Sequence, residues 1–254
     1  QYNIMKIISI IGTRPQFLKM IPLSLEFKKS DNIESLIIHS GQHYDNNMFK
    51  DIFTSLNATM PQYILKRKGD TSIENLTNMM LGIEKIVIKE KPDIIIVFGD
   101  CDTTTAGTLV ANKNKIYLIH IEAGMRSYNK QMPEEINRLI ADNVSDLLLC
   151  STKDSLEKIK KENILTPSYF VGNLQLDLLN ITNQTYNNMS FLKKIGVEQN
   201  KFVLITIHRR ENISILSEWF NVINEIAKSH KDVDFIFPIH AKPEILKFKK
   251  ILKN

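Results

Sequence analysis

Between His120 and Arg138 the chain reads HIEAGMRSYNKQMPEEINR, and three of its carboxylates, Glu122, Glu134 and Glu135, are spaced so that they could converge on one ligand. The apolar run before Glu122, KIYLI (115–119), has the composition of a buried strand, so Glu122 falls just past a strand end. Pro133 suits the first turn of a helix, where the N–H it lacks has no intrahelical partner. Ile136, Leu139 and Ile140 then share one helical face. Glu134 and Glu135 therefore lie in a first turn, where the helix dipole favours negative charge. Ligands of open α/β sheets bind beyond the carboxyl ends of the strands. Carboxylates gathered there are suited to proton transfer.

Other residues with chemical potential lie at the ends of other apolar runs. Asp100 follows DIIIVF (93–98) and opens GDCDTTTAG; it either caps the next helix or faces the same ligand. Thr103, Thr104 and Thr105 cap that helix or bind phosphate oxygens. Arg14 lies in the turn GTRPQ (12–16), between the run KIISIIG (6–12) and a helical segment over 16–29. Beside helix-start N–H groups, an arginine suits an anion. Lys19 follows roughly a turn and a half later and faces either that cleft or solvent. Neither the glycine-rich dinucleotide fingerprint nor a Walker loop is present. Gln42 and His43 follow the run SLIIHSG (35–41), where loop hydrogen bonding would also explain them. His208 ends FVLITIH (202–208) and opens HRRE, so Arg209, Arg210 and Glu211 surround an imidazole that is either structural or electrostatically tuned. His240 ends VDFIFPIH (233–240) in the same way, and both strands deliver an imidazole to one edge.

The elements that must position these residues alternate between strand and helix along the whole chain. That pattern predicts an α/β fold with parallel, doubly wound sheets. Residues 1–173 read as a first Rossmann-like domain carrying the acids. A linker region follows over 174–199, around the polar stretch TNQTYNNMS, and 200–254 reads as the start of a second Rossmann-like domain. That second unit has only about two strands and two helices, below the roughly 70–80 residues at which a core becomes self-sufficient. In the segment 72–89, the residues Ile73, Leu76, Met80, Ile83 and Val87 fit one face of an amphipathic helix. Phe17, Met79, Met80 and Trp219 read as core or interface.

Composition narrows the function classes. A net charge of +5, with Lys and acidic residues interspersed, gives no nucleic-acid footprint. No apolar run approaches the roughly 18–20 residues of a membrane span, and no signal-peptide pattern opens the chain. Cys101 and Cys150 have neither metal nor redox spacing and read as free thiols in a reducing, cytoplasmic compartment. Neither a nucleophile elbow nor a metal-ligand pattern is present. The residues themselves thus point to proton transfer on a phosphorylated or nucleotide-linked small molecule.

The motifs IIGTRPQFLKMIPL, HSGQHYDNNM, KPDIIIVFGD, HIEAGMRSYNKQMPEEINR, FVGN and ITIHRREN occur in this order. Together, from Lys6 to His240, they resemble the non-hydrolysing UDP-N-acetylglucosamine 2-epimerases. The resemblance implies a two-domain glycosyltransferase-B type fold, a cytoplasmic homodimer, and interconversion of UDP-GlcNAc and UDP-ManNAc for surface-polysaccharide synthesis, without metal or redox cofactor. It implies elimination of UDP to 2-acetamidoglucal and re-addition. Asp100, Glu122, Glu134 and His208 match the family's catalytic residues. Arg14, Lys19 and Arg209 match its substrate-side basic residues. Gln42, His43, Glu135, Arg209 and His240 match positions that hold an activating second UDP-GlcNAc in some members. Three departures stand out: Gln16 replaces the usual Glu after GTRP, CDTTTAG follows Asp100's glycine turn in an uncommon form, and the chain stops at Asn254, before the Ser-Gly-Gly loop. Four other readings compete: a hydrolysing 2-epimerase releasing ManNAc, a 2-epimerase of a related UDP-deoxysugar, a glycosyltransferase of the same fold, and a UDP-sugar-binding module. With the second domain incomplete, residues 1–254 alone are expected not to turn over.

Overall fold

The computed structural model describes residues 4–42, 53–54, 56–185, 188–198, 200–207 and 215–238. His43, His208, Arg209, Arg210 and His240 lie outside the described residues, as does the helix expected from Pro243. The chain divides into two compact units, Gln1–Thr185 and Tyr186–Asn254.

The first unit is a seven-stranded parallel sheet flanked by helices. Its strands are β1 (Met5–Ile11), β2 (Ile33–His39), β3 (Tyr63–Ile64), β4 (Ile94–Phe98), β5 (Tyr117–Ala123), β6 (Leu147–Cys150) and β7 (Ser168–Phe170). They lie in the order β3-β2-β1-β4-β5-β6-β7. Its helices are α1 (Arg14–Phe27), α2 (Ser72–Glu90), α3 (Asp102–Lys113), α4 (Pro133–Val144), α5 (Lys153–Lys161) and α6 (Leu174–Thr185). The fold class is the α/β, doubly wound one that strand–helix alternation predicts. The sequence reading misses only the two-residue β3 among these strands, a segment too short for any periodicity to register.

Alternate strand residues face opposite helix layers. Ile7, Ile11, Ile96 and Phe98 pack with Phe17, Met20 and Ile21 of α1 and with Leu178 of α6. Ile8, Ile10, Ile95 and Val97 pack with Ile83 and Val87 of α2 and Val110 of α3. Each such fully buried side chain stabilises the unit by about 1.5–3 kcal/mol relative to exposure. The expected face of α2 holds at Leu76, Met80, Ile83 and Val87, and at Met79 as read; Ile73 is exposed, and Ile86 adds a core position.

Residues 174–185, assigned to a linker by composition, are a helix of the first unit. Leu174, Leu178 and Ile181 recur at helical spacing and pack against the α1 side of the core. The first unit therefore extends to Thr185 rather than ending at 173.

In the second unit, the described elements are α7 (Asn188–Ile195), β8 (Phe202–Leu204), α8 (Leu216–Ser229) and β9 (Asp234–Ile236). The two strands pair in parallel. Leu216 and Phe220 are buried against Ile207, Ile223 and Phe237. Trp219, read as core or interface, is 42% exposed. Among the described residues, no helix is long and apolar enough to cross a membrane.

Candidate functional site

The strand order of the first unit reverses between β1 and β4, and the crevice at such a switch point is where open α/β sheets bind ligands. The turns leaving β1, β2, β4 and β5 meet there. Gly12, between β1 and α1, fits because any side chain would collide with the hydroxyls of Ser40 and Thr103. Those two hydroxyls are bonded to each other at 2.6 Å. Gln42 closes this corner: its Oε1 accepts from the Thr103 N–H at 3.1 Å and from the Thr103 hydroxyl at 2.7 Å.

Glu122 does not lie past the strand end. It is inside β5, where pairing with β6 slips by one residue between Ile121 and Ala123. Its φ is +69°, a left-handed value that side chains rarely adopt. Such a bulge re-aims a side chain, and the strain persists only where the surroundings enforce it. The redirected carboxylate forms an ion pair with Lys19, which α1 holds buried. Lys19 thus takes the cleft alternative rather than the solvent one. Burial pushes its ammonium down to about 8, while the Asp100 carboxylate pulls it back up.

Asp100 does not cap the following helix, whose N-cap is Cys101. Its carboxylate pairs with Arg138 of α4. The Nε of Arg138 is buried and has no hydrogen-bond partner among the described residues. Asn137, beside it, donates to the Asp100 carbonyl at 2.9 Å and accepts from the Thr105 hydroxyl at 2.6 Å. Gly99, at φ +61°, has no side chain to separate the two acids; an added Cβ would stand 3.2 Å from Glu122 Oε2. The structure therefore brings Asp100, Glu122 and Lys19 together and adds Arg138. Helical spacing offered a signal for Arg138, since it stands four residues after Glu134 on one face of α4.

Glu134, Glu135 and Arg14 are placed differently from one another. Glu134 is exposed in the first turn of α4 and has no bonding partner among the described residues. Glu135, its neighbour, is buried and accepts from the Ser127 N–H at 2.7 Å, the Ser127 hydroxyl at 2.9 Å and the Tyr128 N–H at 3.1 Å. Burial pushes its carboxyl up, but those donors together hold it below the usual range. Arg14 is exposed at the first position of α1.

Gln16 is a hub rather than a surface change. Its Oε1 accepts from the Gly12 N–H at 2.8 Å and the Thr13 N–H at 3.2 Å. Its Nε2 donates to the Phe98 carbonyl at 2.6 Å and to Cys101 Sγ at 3.0 Å. Two donors on one side and a carbonyl on the other suit an amide; a carboxylate would face Phe98 with no hydrogen to offer. Beneath the acids lies a second buried set, His120, Arg126 and Asp142, that residue type alone does not reveal.

A family model described as UDP-N-acetylglucosamine 2-epimerase matches residues 25–253. The chain belongs to that family. A UDP-N-acetylglucosamine 2-epimerase homolog from Methanococcus maripaludis is 38% identical over 240 residues, covering 94% of this chain and 66% of the relative. The UDP-2,3-diacetamido-2,3-dideoxy-D-glucuronate 2-epimerase of Pseudomonas aeruginosa is 35% identical, with 94% and 67% covered. Among solved structures, the UDP-GlcNAc 2-epimerase of Neisseria meningitidis bound to UDP-GlcNAc superposes with a TM-score of 0.85 at 30% identity, covering 98% of this chain and 70% of that one. The chain thus spans about two thirds of the length of the epimerases it matches.

Proposed function

We propose that this protein is a non-hydrolysing UDP-GlcNAc 2-epimerase, reversibly converting UDP-GlcNAc to UDP-ManNAc. The observation that carries the reading is the convergence of Asp100 and Glu122 at the switch point, tied to Lys19 and Arg138. One carboxylate takes the proton from C2 of the sugar while the C1–O bond breaks and its electrons leave with UDP. The products are 2-acetamidoglucal and UDP, held together. A UDP oxygen then re-forms the bond to C1, and C2 takes a proton on its opposite face. Two proton-handling groups are needed, one for each face, and general acid–base groups are each worth about 10²–10⁴-fold. Glu134 serves as the third acid. His208, with Arg209 beside it in sequence, supports the charge that develops on the departing diphosphate. Arg14 and Lys19 hold the substrate side. Gln42, His43, Glu135, Arg209 and His240 belong to a second, activating nucleotide-sugar position. The chemistry needs no metal or redox cofactor, and the working form is a cytoplasmic homodimer.

A second reading differs in the sugar. The 35% identical relative from Pseudomonas aeruginosa is named for a diacetamido-dideoxy glucuronate substrate, so the same two carboxylates would serve a different ring substituent. One experiment separates these readings: the full-length protein is incubated with UDP-GlcNAc and with UDP-2,3-diacetamido sugars, and products are resolved by chromatography and NMR. UDP-ManNAc formed from UDP-GlcNAc supports the leading reading. Free ManNAc would identify a hydrolysing enzyme, and turnover of the diacetamido sugar alone would identify the second reading.

A further inference from the structure

Three successive backbone carbonyls at the end of β4 are each held by a side chain from a different element. The Phe98 carbonyl accepts from Gln16 of α1, at 2.6 Å. The Gly99 carbonyl accepts from His120 Nε2 of β5, at 2.8 Å. The Asp100 carbonyl accepts from Asn137 of α4, at 2.9 Å. Side chains that hold a turn so completely fix the carboxylate that the turn carries. His120 is the one that reaches both acids, because Glu122 follows it by two residues on the same strand.

The hydrogen bonds also define the state of the imidazole. A carbonyl only accepts, so Nε2 donates to Gly99. Nδ1 lies 2.8 Å from Asp142 Oδ1. The other oxygen of Asp142 accepts from the Gly124 N–H at 3.1 Å and from Arg126 Nη1 at 2.6 Å. An arginine at that distance demands an ionised carboxylate. Burial opposes ionisation of Asp142, but His120 and Arg126 hold its pKa low. Oδ1 therefore accepts as well, and Nδ1 must donate. The side chains of His120, Asp142 and Arg126 are all fully buried, and Arg126 is paired beyond them with Glu162, which caps the C-terminus of α5. The positive ring and Arg126 are thus balanced by two carboxylates, which is what permits a buried charge.

We propose that His120 carries a proton on both ring nitrogens and is a positioning residue that fixes Asp100 and Glu122 relative to each other. Its kinetic consequence rests on the epimerase reading; its protonation does not. The test uses full-length protein with ¹⁵N-labelled histidine, assigned by loss of the signal in His120→Gln. One ring, that of His120, should show a hydrogen on both nitrogens, as its two acceptors require. In His120→Phe, kcat should fall about 10²-fold with KM within about threefold, as a misplaced catalytic group does. His120→Gln, whose amide can still donate to Gly99, should recover part of that loss. A ring with one bare nitrogen in the wild type would overturn the proposal. So would a Phe variant with normal kcat and only a lower thermal midpoint. If the Phe variant does not fold, a Gln variant indistinguishable from wild type in kcat would do the same. Wild-type protein that turns over no UDP-sugar would instead strike the epimerase reading, and the ring spectrum would still decide the protonation.

Discussion

The two ends of the seven-stranded sheet handle charge in opposite ways. At the amino end, Lys6 of β1 lies between Glu34 at 3.1 Å and Glu90 at 3.2 Å, with its N–H on Asp93 at 2.7 Å. The side chains of Lys6 and Glu34 are 24% and 47% exposed, and such part-exposed ion pairs are screened and contribute little, although Glu90 is itself only 15% exposed. At the carboxyl end, Lys19 and Glu122 pair with side chains only 7% and 20% exposed, and Arg126 with Asp142 at 0%. Buried pairs repay their desolvation poorly, so stability alone does not favour them. The strained backbone of Glu122 falls at the same end. Cost concentrated at one edge of an otherwise apolar sheet is what the proposed function asks of its working edge.

Removing the acids should give the largest effect. Asp100→Asn and Glu122→Gln keep shape but cannot exchange protons, so each should lower kcat about 10²–10⁴-fold with little change in substrate affinity. Near-normal kcat in both would return these residues to a structural role. Lys19 should give the next effect, and it should depend on pH. Its ammonium, pushed down to about 8 by burial, pairs with Glu122 only while protonated. Activity should therefore fall above about pH 8, and Lys19→Met should lower activity and flatten that limb. The folded-state pKa lies below the ordinary 10.5, so the folded protein releases this proton more readily and stability does not fall alongside activity. A parallel loss of stability would point to unfolding instead.

Glu135 tests the difference between adjacent acids. Glu135→Gln puts an amide N–H₂ where Ser127 and Tyr128 donate, and should cost about 1.5–3 kcal/mol in urea unfolding. Because the folded carboxyl is held below its usual range, its contribution is present above about pH 4.5 and is lost as pH falls through the lowered value. An unfolding curve that matches wild type would remove Glu135 from the loop's support. Lys6→Met should do least: unchanged kcat and a barely shifted thermal midpoint. A large loss of activity there would erase the contrast between the two ends.

Much of this contrast is legible in the sequence, and the rest is not for identifiable reasons. The apolar runs mark every long strand, because both faces of a parallel sheet are buried. Asp100 and Glu122 are legible because they follow two such runs closely. Helix α6 was legible in principle from Leu174, Leu178 and Ile181, but the polar stretch beside it argued for a linker. Glu134 and Glu135 look alike in sequence; a helix turns about 100° per residue, which leaves one exposed and buries the other. The bulge at Glu122 depends on β6 pairing, and the hydrogen bonding of His120 depends on Asp142, 22 residues away. Gln16 looks like a lost acid until the Phe98 carbonyl is seen opposite its amide.

The claim that the carboxyl edge transfers protons is tested most directly by isotope exchange. Full-length protein is incubated with UDP-GlcNAc in deuterated water, and C2 is followed by proton NMR. Deuterium should replace the C2 hydrogen in both epimers during turnover, and Glu122→Gln should suppress the exchange. Epimerisation with the C2 hydrogen fully retained would contradict proton transfer by Asp100 and Glu122.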